Sequence, residues 1–221
     1  MDRSKGYEEN RLITAIKLAN LRIYESAQRD AKQRGMGTTL VCAFAVEDGV
    51  YVAHVGDSRC YRVRNGEITQ LTRDHSLLND YLLVMPDLTP EQREELPKNV
   101  ITRALGMQDS VVVDLLPEQP QPGDVYVLCS DGLSGMITDP EILSAVTSHP
   151  GNAEEAAKDL VDRANANGGG ARRFSRPHST LHPAGRPSST ATTVSSSAMT
   201  RTSVPTSAAL SSRRPSGPRI P

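Results

Sequence analysis

The sequence holds 221 residues with a formal charge of −1, an average that conceals two unlike parts. All 26 acidic residues and 17 of the 25 basic ones precede Ala171, so that part carries −9, while the last 51 residues hold eight arginines and no Asp, Glu or Lys. An acidic body argues against a nucleic-acid-binding surface, which needs clustered Lys and Arg, and no run reaches the roughly 20 apolar residues of a membrane span. The start, MDRSKGYEEN, lacks the basic flank and apolar core of a signal peptide. A soluble, cytoplasmic chain is expected. Cys42, Cys60 and Cys129 fall in apolar runs without CxxC spacing, a pattern of reduced core thiols rather than disulfides or zinc ligands.

In chain order, residues 1–9 read as a disordered start. Leu12, Ile16, Ala19, Ile23, Ala27 and Ala31 then form one apolar stripe, predicting a helix over Asn10–Arg34 with Asn10 as N-cap and Gly35 and Gly37 ending it. The period shortens at TTLVCAFAV (Thr38–Val46), a predicted strand, followed by a Glu47-Asp48-Gly49 turn and a second strand over Val50–Gly56. CYRVRNGEITQLT predicts a hairpin pivoting on Asn65-Gly66. Asp74–Leu96 is polar and proline-bearing, an excursion or flap with a short helix opening at Thr89-Pro90-Glu91. Strand character returns in VITRAL, SVVVDLLPEQ and DVYVLCS, and Asp139–Ala166 reads as two helices broken at Pro150-Gly151. This order predicts an α+β layered domain with antiparallel sheet and helices packed outside.

Beyond about Gly168 the material changes. Nineteen of the last 51 residues are Ser or Thr and seven are Pro, with almost no large apolar side chain, so residues 169–221 are expected to be a disordered tail. The change is abrupt enough to raise a shifted reading frame beyond about Gly170, which translating the other two frames tests.

Four stretches carry candidate chemistry: GMGTT (Gly35–Thr39), HVGDSRCY (His54–Tyr61), RDHS (Arg73–Ser76) and CSDGL (Cys129–Leu133). GMGTT alone reads as a helix end and strand start, and it lacks the lysine of a phosphate-cradling loop. Asp131-Gly132 reads equally as a turn or as a ligand presented where a buried strand surfaces. Ser58, with Asp57 and His54 nearby, has the composition of a GDSL-type serine hydrolase, yet no group is identified to orient the histidine, and a strand follows where that nucleophile needs a helix.

Taken together, GxGTT, VGDSRxY, the NG hairpin, LTxDHS, NVITRALG, QPGD and CSDGL, in that order from Asn10 to Asn167, resemble the metal-dependent type 2C protein phosphatases, the PPM family, in a bacterial style. The resemblance implies an α-β-β-α sandwich of two antiparallel sheets flanked by helices, here incomplete, over residues 10–168. It implies hydrolysis of phosphoserine and phosphothreonine by water activated between two Mn²⁺ or Mg²⁺ ions, acting on phosphoproteins made by a Ser/Thr kinase, in a monomer. Carried over by motif, Asp131 is a ligand of the binuclear centre and Asp57 helps hold an accessory third ion. The flap from Asp74 to Leu96 borders the substrate cleft, and Arg103–Gly106 are framework.

The departures set a second expectation. The family opens on a strand bearing an Arg and an N-E-D-type motif, then a D-G-x-G-G turn, and it closes on a D-N motif and strand. Here no D-G-x-G-G precedes Leu12, and ARRFSRPHST follows ANGGG. The phosphate-binding Arg and two primary aspartates have no counterpart, and a lone carboxylate binds a divalent ion poorly. The chain as written is therefore expected to have little or no activity, with sheet edges left unpaired. The alternative function is a non-catalytic pseudophosphatase that binds a phosphoprotein or another partner.

Overall fold

A computed structural model describes residues 5–97, 100–168 and the backbone of 190–193. Its elements are α1 (Tyr7–Arg29), β1 (Leu40–Val46), β2 (Gly49–Val55), β3 (Arg59–Arg64), β4 (Glu67–Gln70), α2 (Leu77–Val84), α3 (Pro90–Glu95), β5 (Asp114–Glu118), β6 (Val125–Cys129), α4 (Asp131–Ser134), α5 (Asp139–Ser148), α6 (Ala153–Ala166) and β7 (Thr190–Thr193). They form two sheets, ordered β1-β2-β5 and β4-β3-β6-β7, in which the pairs among β1–β6 are antiparallel.

Alternation along the strands builds the layers, because successive side chains leave a strand on opposite faces. Val52 of β2, Cys60 of β3 and Tyr126 and Leu128 of β6 meet between the sheets. Their neighbours Ala53 and Val55 turn outward onto Ile16 of α1. On the other side Tyr61, Val63, Val127 and Cys129 pack under α4, α5 and α6, against Leu133, Ile142 and Leu160. These three apolar spaces are the interfaces of an α-β-β-α sandwich, as expected. Burial pushes the thiols of Cys60 and Cys129 up to about 12, so both remain protonated core groups.

The hairpin turns where predicted, with Asn65 at φ 52° and Gly66 at φ 79°, the pair of positive angles that a tight hairpin needs. The break at Pro150-Gly151 separates α5 from α6, and Thr89 caps α3, accepting from the Gln92 amide while Gln92 accepts from the Thr89 amide. Pro117 is tolerated in β5 because that strand is an edge of its sheet.

Several expectations are corrected. Helix α1 starts at Tyr7, so Tyr7, Glu8 and Glu9 are helical rather than part of a disordered start; Glu9 reaches back to the Gly6 amide at 3.0 Å and fixes the end there. Asn10 lies inside the helix. The helix stops at Arg29 rather than Arg34, because Asp30 turns extended and its carboxylate captures the Lys32 amide at 2.9 Å, opening a short 3₁₀ turn over Ala31–Gln33. VITRAL is not a strand: Ile101 and Leu105 make only isolated bridges, to Ser76 and Thr38. Of SVVVDLLPEQ only Asp114–Glu118 is strand, since Gly106 turns left-handed (φ 85°) and Asn20 of α1 takes its amide at 2.8 Å, holding that segment to the helix. The flap carries an extra helix, α2, capped by Ser76. Finally, Thr190–Thr193 form a strand parallel to β6, which pairs a sheet edge expected to be open. Three threonines in four residues suit an added edge strand. The remainder of the tail expectation lies outside the described residues.

Candidate metal and substrate site

Strand register brings the two predicted carboxylates together. Arg59 of β3 pairs with Cys129 of β6, so Asp57, two residues before Arg59, and Asp131, two residues after Cys129, leave the same end of adjacent strands. Burial raises the pKa of Asp57, and the charge of Asp131 raises it further. The turn reading of Asp131-Gly132 does not hold: Asp131 begins α4, and Gly132 has no positive φ. An acid in the first turn of a helix sits favourably toward the positive end of the peptide dipoles. Gly135 allows that turn to close, since a Cβ there would lie 2.8 Å from the Asp131 carbonyl oxygen.

Asp57 is held by its neighbour. Gly56 stands at φ 109°, its amide donates to Nδ1 of His75 at 3.0 Å, and its carbonyl accepts from the His75 amide at 2.9 Å. Because an amide can only donate, Nδ1 of His75 is the acceptor, and the neutral ring carries its proton on Nε2, 3.1 Å from Asp114 Oδ2. Burial keeps His75 below the usual imidazole pKa. Burial pushes Asp114 upward, but the bonds from His75 and Arg103 bring its carboxyl below the usual range. His75 also stacks on His54, with ring centroids 4.7 Å apart, and Nε2 of His54 meets the Arg73 carbonyl at 2.8 Å.

His54, His75 and Asp114 place one ligand atom each within 4.8 Å of one another, a spacing compatible with a metal ion. The hydrogen bonds assign them another role. Both nitrogens of His75 are engaged and Asp114 is shared with Arg103 at 2.6 Å, so the set braces the turn before Asp57 and joins β2, β5 and the flap entrance. Arg103 takes part in this bracing through its bond to Asp114. Ser58 is buried and its hydroxyl meets Thr39 Oγ1 at 2.8 Å, while both histidines make their bonds elsewhere; the serine-hydrolase arrangement does not form.

Asp57 also lines a cleft of about 430 Å³ together with Arg59, Arg73 and the first residues of the predicted flap, among them Asp74, Ser76 and Asn79. Arg59 and Asp74 form a two-pronged ion pair there: Nε donates to both carboxylate oxygens at 2.9 and 3.1 Å, and Nη2 to Oδ2 at 2.6 Å. Gln70 and Asn79 add bonds to the Asp74 side chain and carbonyl. Asp57 and Asp131 follow from their motifs, whereas the support joins separate segments: Arg59 and Asp74 lie 15 residues apart, Gly56 and His75 19, and His75 and Arg103 28. The only signal was that RDHS and GDSR both sit at strand ends.

A family described as Protein phosphatase 2C matches residues 2–80. Protein phosphatase PhpP of Streptococcus pneumoniae is 41% identical over 155 residues, which cover 70% of this chain and 62% of PhpP. The crystal structure of the Mycobacterium tuberculosis serine/threonine phosphatase PstP/Ppp superposes with a TM-score of 0.67 at 33% identity, covering 76% of this chain and 70% of that one. A PstP catalytic domain crystallised with two manganese ions gives a TM-score of 0.61 at 31% identity, covering 73% of this chain and 66% of that one. The chain spans about three fifths of the length of the curated relatives it matches, 63% and 62% for the first two.

Proposed function

Because the chain belongs to the protein phosphatase 2C family, we propose that the corner formed by Asp57 and Asp131 is part of a divalent-metal centre serving hydrolysis of phosphoserine and phosphothreonine in proteins. The observation that carries the reading is their convergence at one end of β3 and β6, which the Arg59–Cys129 register sets. Carboxylates held against their mutual repulsion fit a hard cation, Mn²⁺ or Mg²⁺, which takes oxygen ligands. When bound, such an ion acidifies water and offsets charge on a phosphoryl group. The residues of this chain supply the frame: Asp131 would serve as a ligand of the binuclear centre and, with Asp57, would hold the accessory third ion. His75 and Gly56 fix Asp57, and the Arg59–Asp74 pair shapes the wall of the cleft beside it. The substrate is then a cytoplasmic phosphoprotein made by a Ser/Thr kinase, acted on by a monomer.

A second reading, phosphoprotein binding without turnover, is favoured by the size of the ligand set. A hard cation wants about six oxygen ligands, and among the described residues two carboxylates at this corner are free of ion pairs. The 221-residue polypeptide is therefore expected to hydrolyse a phosphothreonine peptide slowly or not at all, with any turnover requiring Mn²⁺ and lost in Asp131→Asn. A phosphate-release assay checks this. Turnover that persists in Asp131→Asn, or without a divalent ion, contradicts the metal reading.

A further inference from the structure

Two arginines line the cleft beside Asp57, and the structure uses them differently. Arg59 has its charge offset, since Nε and Nη2 donate to Asp74, and Nη1 donates to the Tyr61 hydroxyl at 2.9 Å. Arg73 has no such partner. Its Nη2 donates to the main-chain carbonyl of Asn79, and no carboxylate among the described residues pairs with it. A carbonyl fixes where a guanidinium sits without cancelling its charge, and it leaves further N–H donors of the fork available. The side chain is exposed, so an anion entering the cleft reaches it without displacing protein.

The lining around it is polar: Gln70, Thr72, Ser76 and Asn79, with Leu78 the apolar exception among the residues identified there. That surface suits an anionic group rather than an apolar side chain. Asp74 is offset by Arg59, but Asp57 repels an anion, so an oxyanion settling here needs a cation facing it. We propose that Arg73 grips the phosphoryl group of a phosphoserine or phosphothreonine side chain in this cleft. The inference rests on the reading of the Asp57 wall as the metal side and adds the residue that recognises the substrate. A phosphoryl group fits better than a carboxylate, because it carries close to two charges and three acceptor oxygens and is matched by the planar guanidinium fork.

The test is fluorescence anisotropy with a labelled phosphothreonine peptide, its unphosphorylated twin and a glutamate twin, titrated with the full chain in the presence and absence of Mn²⁺. Arg93→Ala is the matched control, since Arg93 is also exposed and anchored on a carbonyl, that of Leu88 at 3.0 Å, but lies on α3 outside the cleft. The wild type and Arg93→Ala should prefer the phosphopeptide alike. Arg73→Ala should lose about ten- to a hundredfold of that preference, the range of a charge-assisted contact, and Arg73→Lys should keep part of it as a point charge without the fork. Circular dichroism confirms that the variants fold, and Arg73→Lys decides if Arg73→Ala does not. The proposal is overturned if Arg73→Ala keeps the wild-type preference, if the wild type has none, or if the glutamate peptide binds as tightly as the phosphopeptide. Mn²⁺ titration of the same samples and of Asp131→Asn separates the two claims: Arg73-dependent phosphopeptide binding with no Asp131-dependent Mn²⁺ site removes the metal reading alone. An intact metal site with a phosphate preference indifferent to Arg73 removes this inference alone.

Discussion

Gly56→Ala is expected to destabilise the fold by about 3–5 kcal/mol, the sum of backbone strain and overpacking. The glycine stands at φ 109°, and a Cβ there would lie 2.4 Å from Thr39 Cγ2 and 2.7 Å from Thr39 Cβ. Thr39 cannot swing aside cheaply, because its hydroxyl is bonded to buried Ser58. Nor can Gly56 retreat, since both its amide and its carbonyl are bonded to His75. Gly66→Ala is the instructive comparison. It also has a positive φ, 79°, but nothing lies within 4 Å of its added Cβ, so strain alone remains and the cost falls to about 1 kcal/mol. Urea denaturation of both variants checks the account, and equal losses would show that the Thr39 contact does not matter.

Asp74→Ala carries the second large effect, a loss of about 2–3 kcal/mol. The carboxylate is 12% exposed and takes the two-pronged bond of Arg59, whose side chain is 26% exposed. Removing Asp74 strands that guanidinium, half out of water, with the Tyr61 hydroxyl as its remaining hydrogen-bond partner among the described residues. The loss stays below the full cost of breaking a buried pair because solvent still reaches Arg59. If the loss comes from the stranded charge, replacing both partners, as in Arg59→Met with Asp74→Leu, should cost less than Asp74→Ala alone. Denaturation of the single and double variants measures this; a double variant less stable than Asp74→Ala would place the energy in packing instead.

Much of the frame was legible because it depends on short periods. Val52 and His54 alternate with Ala53 and Val55, and Tyr126 and Leu128 with Val127 and Cys129, so the strands and the faces they bury follow from the order of residues alone. Asn65-Gly66 announced its hairpin for the same local reason. Helix ends were less legible, since Glu9 and Asp30 set them by side-chain bonds that compete with the apolar stripe. Helix α2 was hidden because LLNDYLLV buries no residue completely and so shows no one-sided stripe. VITRAL has strand composition, but its Arg103 is used in a tertiary bond to Asp114 and its Leu105 in a bridge to Thr38.

The site divided along the same line. Asp57 and Asp131 were found because their motifs sit at strand ends, whereas their adjacency required the β3–β6 register. The bracing by His75 and the Arg59–Asp74 pair arise from contacts between separate segments that no local pattern encodes, and Arg73, held on the nearby Asn79 carbonyl, is left without a carboxylate partner among the described residues.

The central claim is that in the proposed site Asp131 is a ligand of the binuclear centre and also meets, together with Asp57, the accessory third ion. Electron paramagnetic resonance of free Mn²⁺, titrated with the wild type, Asp57→Asn, Asp131→Asn and the double variant, tests it most directly. Each single substitution should weaken Mn²⁺ binding by about tenfold or more, and the double should fall little further, because groups serving one ion are not additive. Singles that bind Mn²⁺ as the wild type does, or losses that simply add in the double, would contradict a shared site.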